Sequence, residues 1–385
     1  MFHRTIKLPK SQSFFLFGPR GSGKSTLLHA CFPKESTFFF NLLLPKEEDR
    51  FSRDPHLFQA EVEALDSKFD TVVIDEVQKV PKLLDLVHHL IENNKRKIRF
   101  ILTGSSARKL KKGKANLLAG RAVTRNLYPL THIELADSFL LEEVLAWGSL
   151  PKIYDLCENE EKIDFLQTYA LTYLKEEIQA EQIVRNLDPF RRFLEVAAQA
   201  DGKIINYSNI ARDTGTDPKT VKSYYEVLED TLVGFYLESF HTSRRKRLKI
   251  SPKFYFFDLG ISRALSRQLT MKAVPQTSYY GELFERFIVL ELHRQENYLN
   301  REYRLTFLRT QDDAEIDVVV ERPGKPLAFI EIKSADQIHE EMLSGMKKFE
   351  KDFPKAEFFC FSRDPITKKF GKILALHWQV GLQKL

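Results

Sequence analysis

The chain has 385 residues, of which 43% are hydrophobic and 29% charged, with Lys+Arg 59 against Asp+Glu 53 and a formal net charge of +6. That length allows two or three domains with real cores, and Gly 16 with Pro 16 excludes a collagenous or low-complexity chain. No apolar run approaches the roughly 18 residues of a membrane span, the first residues carry only a short apolar stretch unlike a secretory signal, and Cys31, Cys157 and Cys360 lie too far apart for a disulfide framework or zinc knuckle. A reducing cytoplasm fits, and a basic balance permits a polyanionic partner without demanding one.

Phe14–Phe17 reads as a short buried strand. It runs into Gly18-Pro19-Arg20-Gly21-Ser22-Gly23-Lys24-Ser25 and then a helical run from Thr26. This is GxxxxGK[ST] in the strand–loop–helix setting that a phosphate-binding loop requires. The glycines let backbone N–H groups curl around phosphates, and the helix N-terminus adds positive potential. Lys24 is expected to reach the β/γ-phosphates of ATP, with the Ser25 hydroxyl on Mg²⁺. Thr37–Leu44 is a second predicted strand. Thr71–Ile74 is continuously apolar, as a central parallel strand should be, and ends in Asp75-Glu76. Asp75 is placed to hold the magnesium through water and Glu76 to polarise the attacking water. A further strand, Ile98–Leu102, ends in Thr103-Gly104-Ser105-Ser106, where small hydroxyls either sense a γ-phosphate or cap a helix. Ala122–Leu127 completes a five-stranded parallel sheet with its site at the strands' carboxyl ends.

GPRGSGKST, TVVIDEVQKVP, FILTGSSARKL and LLAGRAVTRNLYPLTHIE, in that order, resemble a bacterial and archaeal family of AAA-type ATPases with a C-terminal domain related to PD-(D/E)xK nucleases. The resemblance implies that Asp75 and Glu76 are Walker B residues and that Thr103 stands at the first sensor position. It also implies a homo-oligomer, a hexameric ring being one form, in which a neighbouring subunit supplies an arginine; Arg121 and Arg108 are the candidates. An arginine there would stabilise charge on the transferring phosphoryl group.

The middle of the chain is helical from about Glu160 to Glu181 and again from Arg191. Tyr207–Asp213, a turn at Thr214-Gly215-Thr216, and a helix opened by Asp217-Pro218 have helix-turn-helix spacing. Strand-like Phe235–Phe240 and Phe254–Phe257 flank the basic run Arg244–Lys249, so the segment resembles a winged helix with a basic tip. Lys219, Lys222 and the 244–249 cluster are then phosphate contacts to DNA, or else solvated charges on a protein-packing module. A second basic loop, 108–114, is a channel lining if subunits form a ring and otherwise a solvated loop.

Gly281–Leu292 is an amphipathic helix in which Phe284, Phe287, Ile288 and Glu291 follow helical spacing and Glu285 lies near one edge of the apolar face. Two strands, Ala314–Val320 and Leu327–Lys333, are joined by a Pro-Gly turn as a hairpin. That sets Asp317 near Glu331 and Lys333, which share a face because they are two apart. Two carboxylates suit Mg²⁺ or Mn²⁺, Lys333 can orient a nucleophile or neutralise the transition state, and Glu285 would complete the metal shell. This D-x13-E-x-K pattern resembles the PD-(D/E)xK core, although no QxxxY pattern follows around Glu340–Phe349. Phe358–Phe361 reads as a further sheet strand.

The expected fold is α/β and multidomain: a P-loop AAA-type ATPase domain over 1–135, a helical and winged-helix domain over 136–273, and a restriction-endonuclease-like α/β domain over 274–385. The expected function is ATP-driven processing of DNA, an AAA-type ATPase coupled to a metal-dependent PD-(D/E)xK endonuclease, branched DNA being one plausible substrate. Nucleotide contacts are expected at Gly18, Pro19, Arg20, Gly21, Ser22, Gly23, Lys24, Ser25, Thr26, Asp75 and Thr103, and metal contacts at Ser25, Asp75, Glu285, Asp317 and Glu331. Two other classes remain open at this level: a nucleotide-dependent DNA-binding switch, and a protein-remodelling ATPase, each with a silent nuclease fold.

Overall fold

In the computed structural model, the strand–helix alternation of the first third becomes a parallel sheet in the order β2–β3–β4–β1–β5. Its strands are β1 (Ser13–Phe17), β2 (Thr37–Asn41), β3 (Thr71–Asp75), β4 (Arg99–Gly104) and β5 (Ala122–Asn126). The structure describes residues 2–93, 96–105, 118, 120–173, 187–241, 250–310, 312 and 314–385. β1 lies between β4 and β5 and is buried throughout. Phe15 and Phe17 join the layer of Phe40, Phe51, Phe58 and Val72, whereas Phe14 and Leu16 join the layer of Leu27, Leu28 and Ile101. A strand with a core on both faces must be apolar at every position, which is why this segment reads SFFLF. β2 stops at Asn41 rather than continuing to Leu44. The Asn41 side chain accepts the Leu43 N–H at 2.9 Å, an Asx-type turn, and Pro45 opens a helix.

The helix expected from Glu160 to Glu181 is described as far as Tyr173: it is α-helical over Asn159–Thr168 and π-helical over Tyr169–Tyr173. Helices Leu187–Gln199, Tyr207–Thr214 and Pro218–Asp230 then pack around Phe193, Val221, Tyr225 and Leu228. Gly215 takes a left-handed φ of +67° at the end of the second. Asp217 caps the third, accepting from Lys219 N at 2.9 Å and Thr220 N at 3.1 Å, a cap of about 1 kcal/mol. β6 (Gly234–Ser239) and β7 (Lys253–Phe256) form an antiparallel pair. Ser106, Arg108, the 108–114 loop and the 244–249 cluster lie outside the described residues, as does the end of the helix expected to reach Glu181.

The rest of the chain is a long helix, Ser278–Leu299, followed by β8 (Arg304–Arg309), β9 (Glu315–Glu321), β10 (Ala328–Lys333), β11 (Glu357–Ser362), β12 (Lys368–Phe370) and β13 (Ile373–His377). β8, β9 and β10 are antiparallel neighbours, while β10, β11 and β13 run parallel. The sheet has eight strands in the order β12–β13–β11–β10–β9–β8–β6–β7. β6 joins it through Glu238↔Thr306 and Ser239↔Phe307. Two strands that precede residue 273 are therefore part of the C-terminal sheet. Between β10 and β11 lie three short helical turns, Glu340–Leu343, Ser344–Lys347 and Phe349–Asp352.

The long helix ties these parts to the first sheet. Glu291 is buried and takes His132 Nδ1 at 2.5 Å. Arg294, also buried, donates to Leu130 O, Ser149 Oγ and Phe257 O, each at 2.9 Å. Charges removed from water must be paired in this way, and the pairs fix how the helix docks. Among the described residues, no helix is long and apolar enough to cross a membrane.

Candidate functional site

The loop between β1 and the helix Lys24–Cys31 is shaped by close contact and by glycine. A Cβ on Gly18 would lie 2.1 Å from Leu127 O, so only glycine fits. Gly21 and Gly23 have φ of +76° and +92°, values glycine adopts without steric cost. Lys24 is buried, and its Nζ donates to Gly18 O at 2.7 Å and Pro19 O at 3.3 Å. Ser22 Oγ is buried with no hydrogen-bond partner among the described residues. A buried ammonium folded into a Gly-rich loop, an orphaned hydroxyl and a helix N-terminus fit a bound phosphate group.

The strand tips supply the rest. Ser25 Oγ donates to Asp75 Oδ2 at 2.9 Å. Thr103 Oγ1 donates to Asp75 Oδ1 and accepts the Glu76 N–H at 3.1 Å. β3 and β4 are adjacent and parallel, so their carboxyl ends bring these groups together. The hydroxyl of Ser25 and the carboxylate of Asp75 are hard oxygen donors suited to Mg²⁺. Glu76 has a left-handed φ of 60°, uncommon outside glycine and characteristic of functional turns. Gln78 Nε2 donates to its carboxylate. Arg121 stands at the amino end of β5, where it pairs with Glu92. β1 and β5 are parallel, so Arg121 lies about a strand length, ~17 Å, from the loop of its own chain.

The C-terminal residues assemble differently. The register Val318↔Ile330 sets Asp317 beside Glu331. Asp317 Oδ2 accepts the Ile332 N–H at 2.7 Å, and Lys333 Nζ lies 2.6 Å from Glu331 Oε1. Burial, reinforced by the carboxylates of Glu285 and Glu331, holds Asp317 well above the usual carboxylate range. Burial also raises Glu331. Lys333 is raised because the carboxylates of Glu331 and Asp317 outweigh its own burial.

Glu285, from the long helix, meets Tyr255 OH at 3.4 Å and Lys253 Nζ at 3.5 Å. Lys253 is also 2.6 Å from Glu315 Oε1, and only 5% of its side chain is exposed. Among the described residues, no three acidic, His or Cys side chains are gathered closely enough to hold a metal ion. The set Glu285, Asp317 and Glu331, expected as ligands, is thus near but not assembled. Lys253 enters from β7 and engages Glu285 and Glu315, while Lys333 engages Glu331. As placed, these residues do not fit a resident ion.

Residues 10–136 match the family model described as AAA domain. This part of the chain is an AAA-type ATPase domain. Residues 138–272 and 280–377 match two families described as domains of unknown function, DUF8612 and DUF4143. An uncharacterized protein of Mycobacterium tuberculosis is 27% identical over 341 residues, covering 88% of this chain and 74% of that one. One of Haemophilus influenzae is 23% identical, covering 72% and 73%. Among solved structures, a signal transduction ATPase with numerous domains and a tetratricopeptide repeat sensor, from Pyrococcus horikoshii, is 13% identical with a TM-score of 0.24. The match covers 77% of this chain and 46% of that one.

The motif residues Lys24, Ser25, Asp75 and Thr103 are brought together at the strand tips, but two partners of the loop are not in the motifs. Arg4 and Tyr169 each hydrogen-bond a carbonyl of the phosphate loop, Ser22 O at 2.8 Å and Arg20 O at 2.7 Å. Neither has a sequence signature. In the C-terminal site, Glu315 was within reach of period-two reasoning, since it is two before Asp317. Lys253 carries a weaker signal, one lysine at the start of the aromatic strand KFYF.

Proposed function

We propose that the chain is an ATP-hydrolysing DNA-processing enzyme that couples its AAA domain to a PD-(D/E)xK-type endonuclease domain. In the first site, Lys24 binds the transferring phosphates, Ser25 and Asp75 hold the magnesium, and Thr103 keeps Asp75 oriented. Glu76 orients the attacking water and accepts its proton. Mg-ATP supplies the phosphoanhydride bond that is broken. Arg121 would act on a neighbouring copy, because it is remote from its own loop; that makes a homo-oligomer part of this reading.

The observation that carries the nuclease half is the hairpin, which sets Asp317 beside Glu331 and Lys333 with Glu285 on the helix packed behind. The order helix, three antiparallel strands, helical turns and a parallel strand β11 supports it. So does Glu331 Oε2, a buried acceptor without a partner among the described residues. Cutting on this reading requires that Glu285 be released from Lys253. The same ion pairs favour a second reading, a nucleotide-dependent DNA-binding switch whose nuclease fold is silent.

The test uses labelled linear, forked and four-way DNA with Mg²⁺ or Mn²⁺, with and without ATP. Cleavage lost in Asp317→Ala and Lys333→Ala establishes the nuclease, and its dependence on Lys24 establishes coupling. DNA-stimulated ATP hydrolysis without cleavage under either metal establishes the switch.

A further inference from the structure

The phosphate loop is gripped from outside its own domain core. Gly18 O and Pro19 O receive Lys24, from within the loop. The next carbonyls are taken by distant residues. Tyr169 OH, on the π-helical turn of the middle segment, donates to Arg20 O at 2.7 Å. Arg4 Nη1, from the N-terminal segment, donates to Ser22 O at 2.8 Å.

Arg4 is itself locked in place, with 5% of its side chain exposed. Its Nε lies 3.1 Å from Glu134 Oε1. Its Nη2 donates to Tyr128 O at 2.5 Å and to Tyr298 OH at 2.9 Å. Tyr298 is buried in the last turn of the long helix. Its hydroxyl accepts the Tyr128 N–H at 2.9 Å and donates to Tyr128 O at 3.2 Å. One guanidinium therefore joins the phosphate loop, the chain just after β5, and the helix that carries Glu285.

The consequence follows from the peptide group. A trans peptide is planar, with its C=O and N–H on opposite sides. Holding Ser22 C=O on one side fixes the Gly23 N–H on the other, and holding Arg20 C=O fixes the Gly21 N–H. Gly21 and Gly23 are residues that need left-handed backbone here, and glycine is the residue least able to hold such a conformation unaided. Their amides are the donors a phosphate loop offers. A π-turn is a local irregularity frequent at functional sites, and this one begins at the tyrosine that reaches the loop.

We propose that Arg4 and Tyr169 are positioning residues of the ATP site, and that Arg4, through Tyr298, lets the long helix register whether the loop holds nucleotide. The inference rests on the nucleotide reading of the loop. It does not depend on nuclease activity, because it concerns the helix and not the carboxylates.

The test uses the full chain, with ATPγS and Mg²⁺ as the probe. Amide hydrogen exchange is followed in the peptide spanning 294–299, and ATP hydrolysis is measured in parallel. In the wild type, nucleotide is expected to slow exchange in that last turn by at least about threefold. Arg4→Lys removes the fork and is expected to raise KM for ATP about tenfold with kcat within about threefold, as lost ground-state binding does. Tyr298→Phe, which removes one hydroxyl, is expected to leave KM within about threefold and to abolish the exchange response. Should Arg4→Lys fail to fold, Tyr298→Phe still carries the test. Exchange in 294–299 that ignores ATPγS, or a response that persists in Tyr298→Phe, overturns the inference while leaving ATP binding intact. A wild type that binds no ATPγS overturns the nucleotide reading and the inference together.

Discussion

Both sites hold a buried lysine among oxygen acceptors, yet the acceptors differ. Lys24 rests on Gly18 O and Pro19 O, neutral carbonyls of its own loop. Lys253 rests on two carboxylates, Glu285 and Glu315. Hydrogen bonds between charged partners are roughly twice as strong as neutral ones. An incoming phosphate offers the Lys24 ammonium a charged acceptor where Gly18 O and Pro19 O are neutral. The first site is arranged to receive an anion as it stands. At the second, Lys253 is held by two carboxylates and Lys333 by a third, and these pairs must open before the carboxylates can take another cation.

The largest effect is expected at the first lysine. Lys24→Ala should lower ATP hydrolysis by at least about a hundredfold, since it removes the buried ammonium of the phosphate loop. A steady-state phosphate-release assay measures it, and near-normal turnover would break the comparison at its first term. Gly18→Ala probes the same site sterically. The added Cβ would meet Leu127 O at 2.1 Å, and Leu127 is fixed because its N–H donates to Phe17 O at 2.7 Å. Backbone cannot yield as a side chain does, so a loss of about 3 kcal/mol in denaturant unfolding is expected, with weakened ATP binding.

The second term is tested by Lys253→Met, which keeps the stem and removes the charge. Removing one partner of a buried pair leaves uncompensated carboxylates, so stability should fall by about 3 kcal/mol. If Glu285, Glu315, Asp317 and Glu331 can take a cation, millimolar Mn²⁺ should restore the midpoint of urea unfolding in the variant and change the wild type little. An unfolding midpoint that Mn²⁺ leaves alone in Lys253→Met would remove the metal reading of these carboxylates.

Much of the first site was legible in the sequence, and the reason is local. Its loop, strand tip and helix start are contiguous segments, and Gly18, Gly21, Gly23, Lys24 and Ser25 act through backbone geometry that spacing encodes. Asp75 and Thr103 were legible because a parallel sheet brings strand ends together. Arg4, Tyr128, Tyr169 and Tyr298 were not, because their meeting depends on the docking of three distant segments. The C-terminal pattern was half legible. The hairpin placed Asp317 beside Glu331 through register alone. Lys253 was missed because β6 and β7 read as a separate wing, and nothing local says that β6 pairs with β8. The change to π geometry at Tyr169 was also invisible, since helical periodicity hardly changes there.

The smallest expected effect concerns the helix that joins the two sites. His293 lies between Glu285 and Tyr298 and is half-buried, stacked on Phe235 at 3.7 Å between centroids, with the Tyr128 ring at 5.1 Å. Burial, with a lesser push from the neighbouring Arg294 charge, holds it down to about 3 from an ordinary value of 6.5. The unfolded chain therefore binds a proton below pH 6.5 that the folded chain refuses until about pH 3. Stability should fall as pH falls through that window, by at most about 1.4 kcal/mol per pH unit from this group. His293→Phe keeps a ring for the stack and should lower the slope by up to one proton between pH 6 and 4. If the middle segment, whose core includes Trp147, and the C-terminal sheet, against which Trp378 packs, are parts of one cooperative unit, acid unfolding followed at each tryptophan, in single-tryptophan variants, should coincide before and after the substitution. Two separate transitions would show that the long helix does not bind these two regions into one unit.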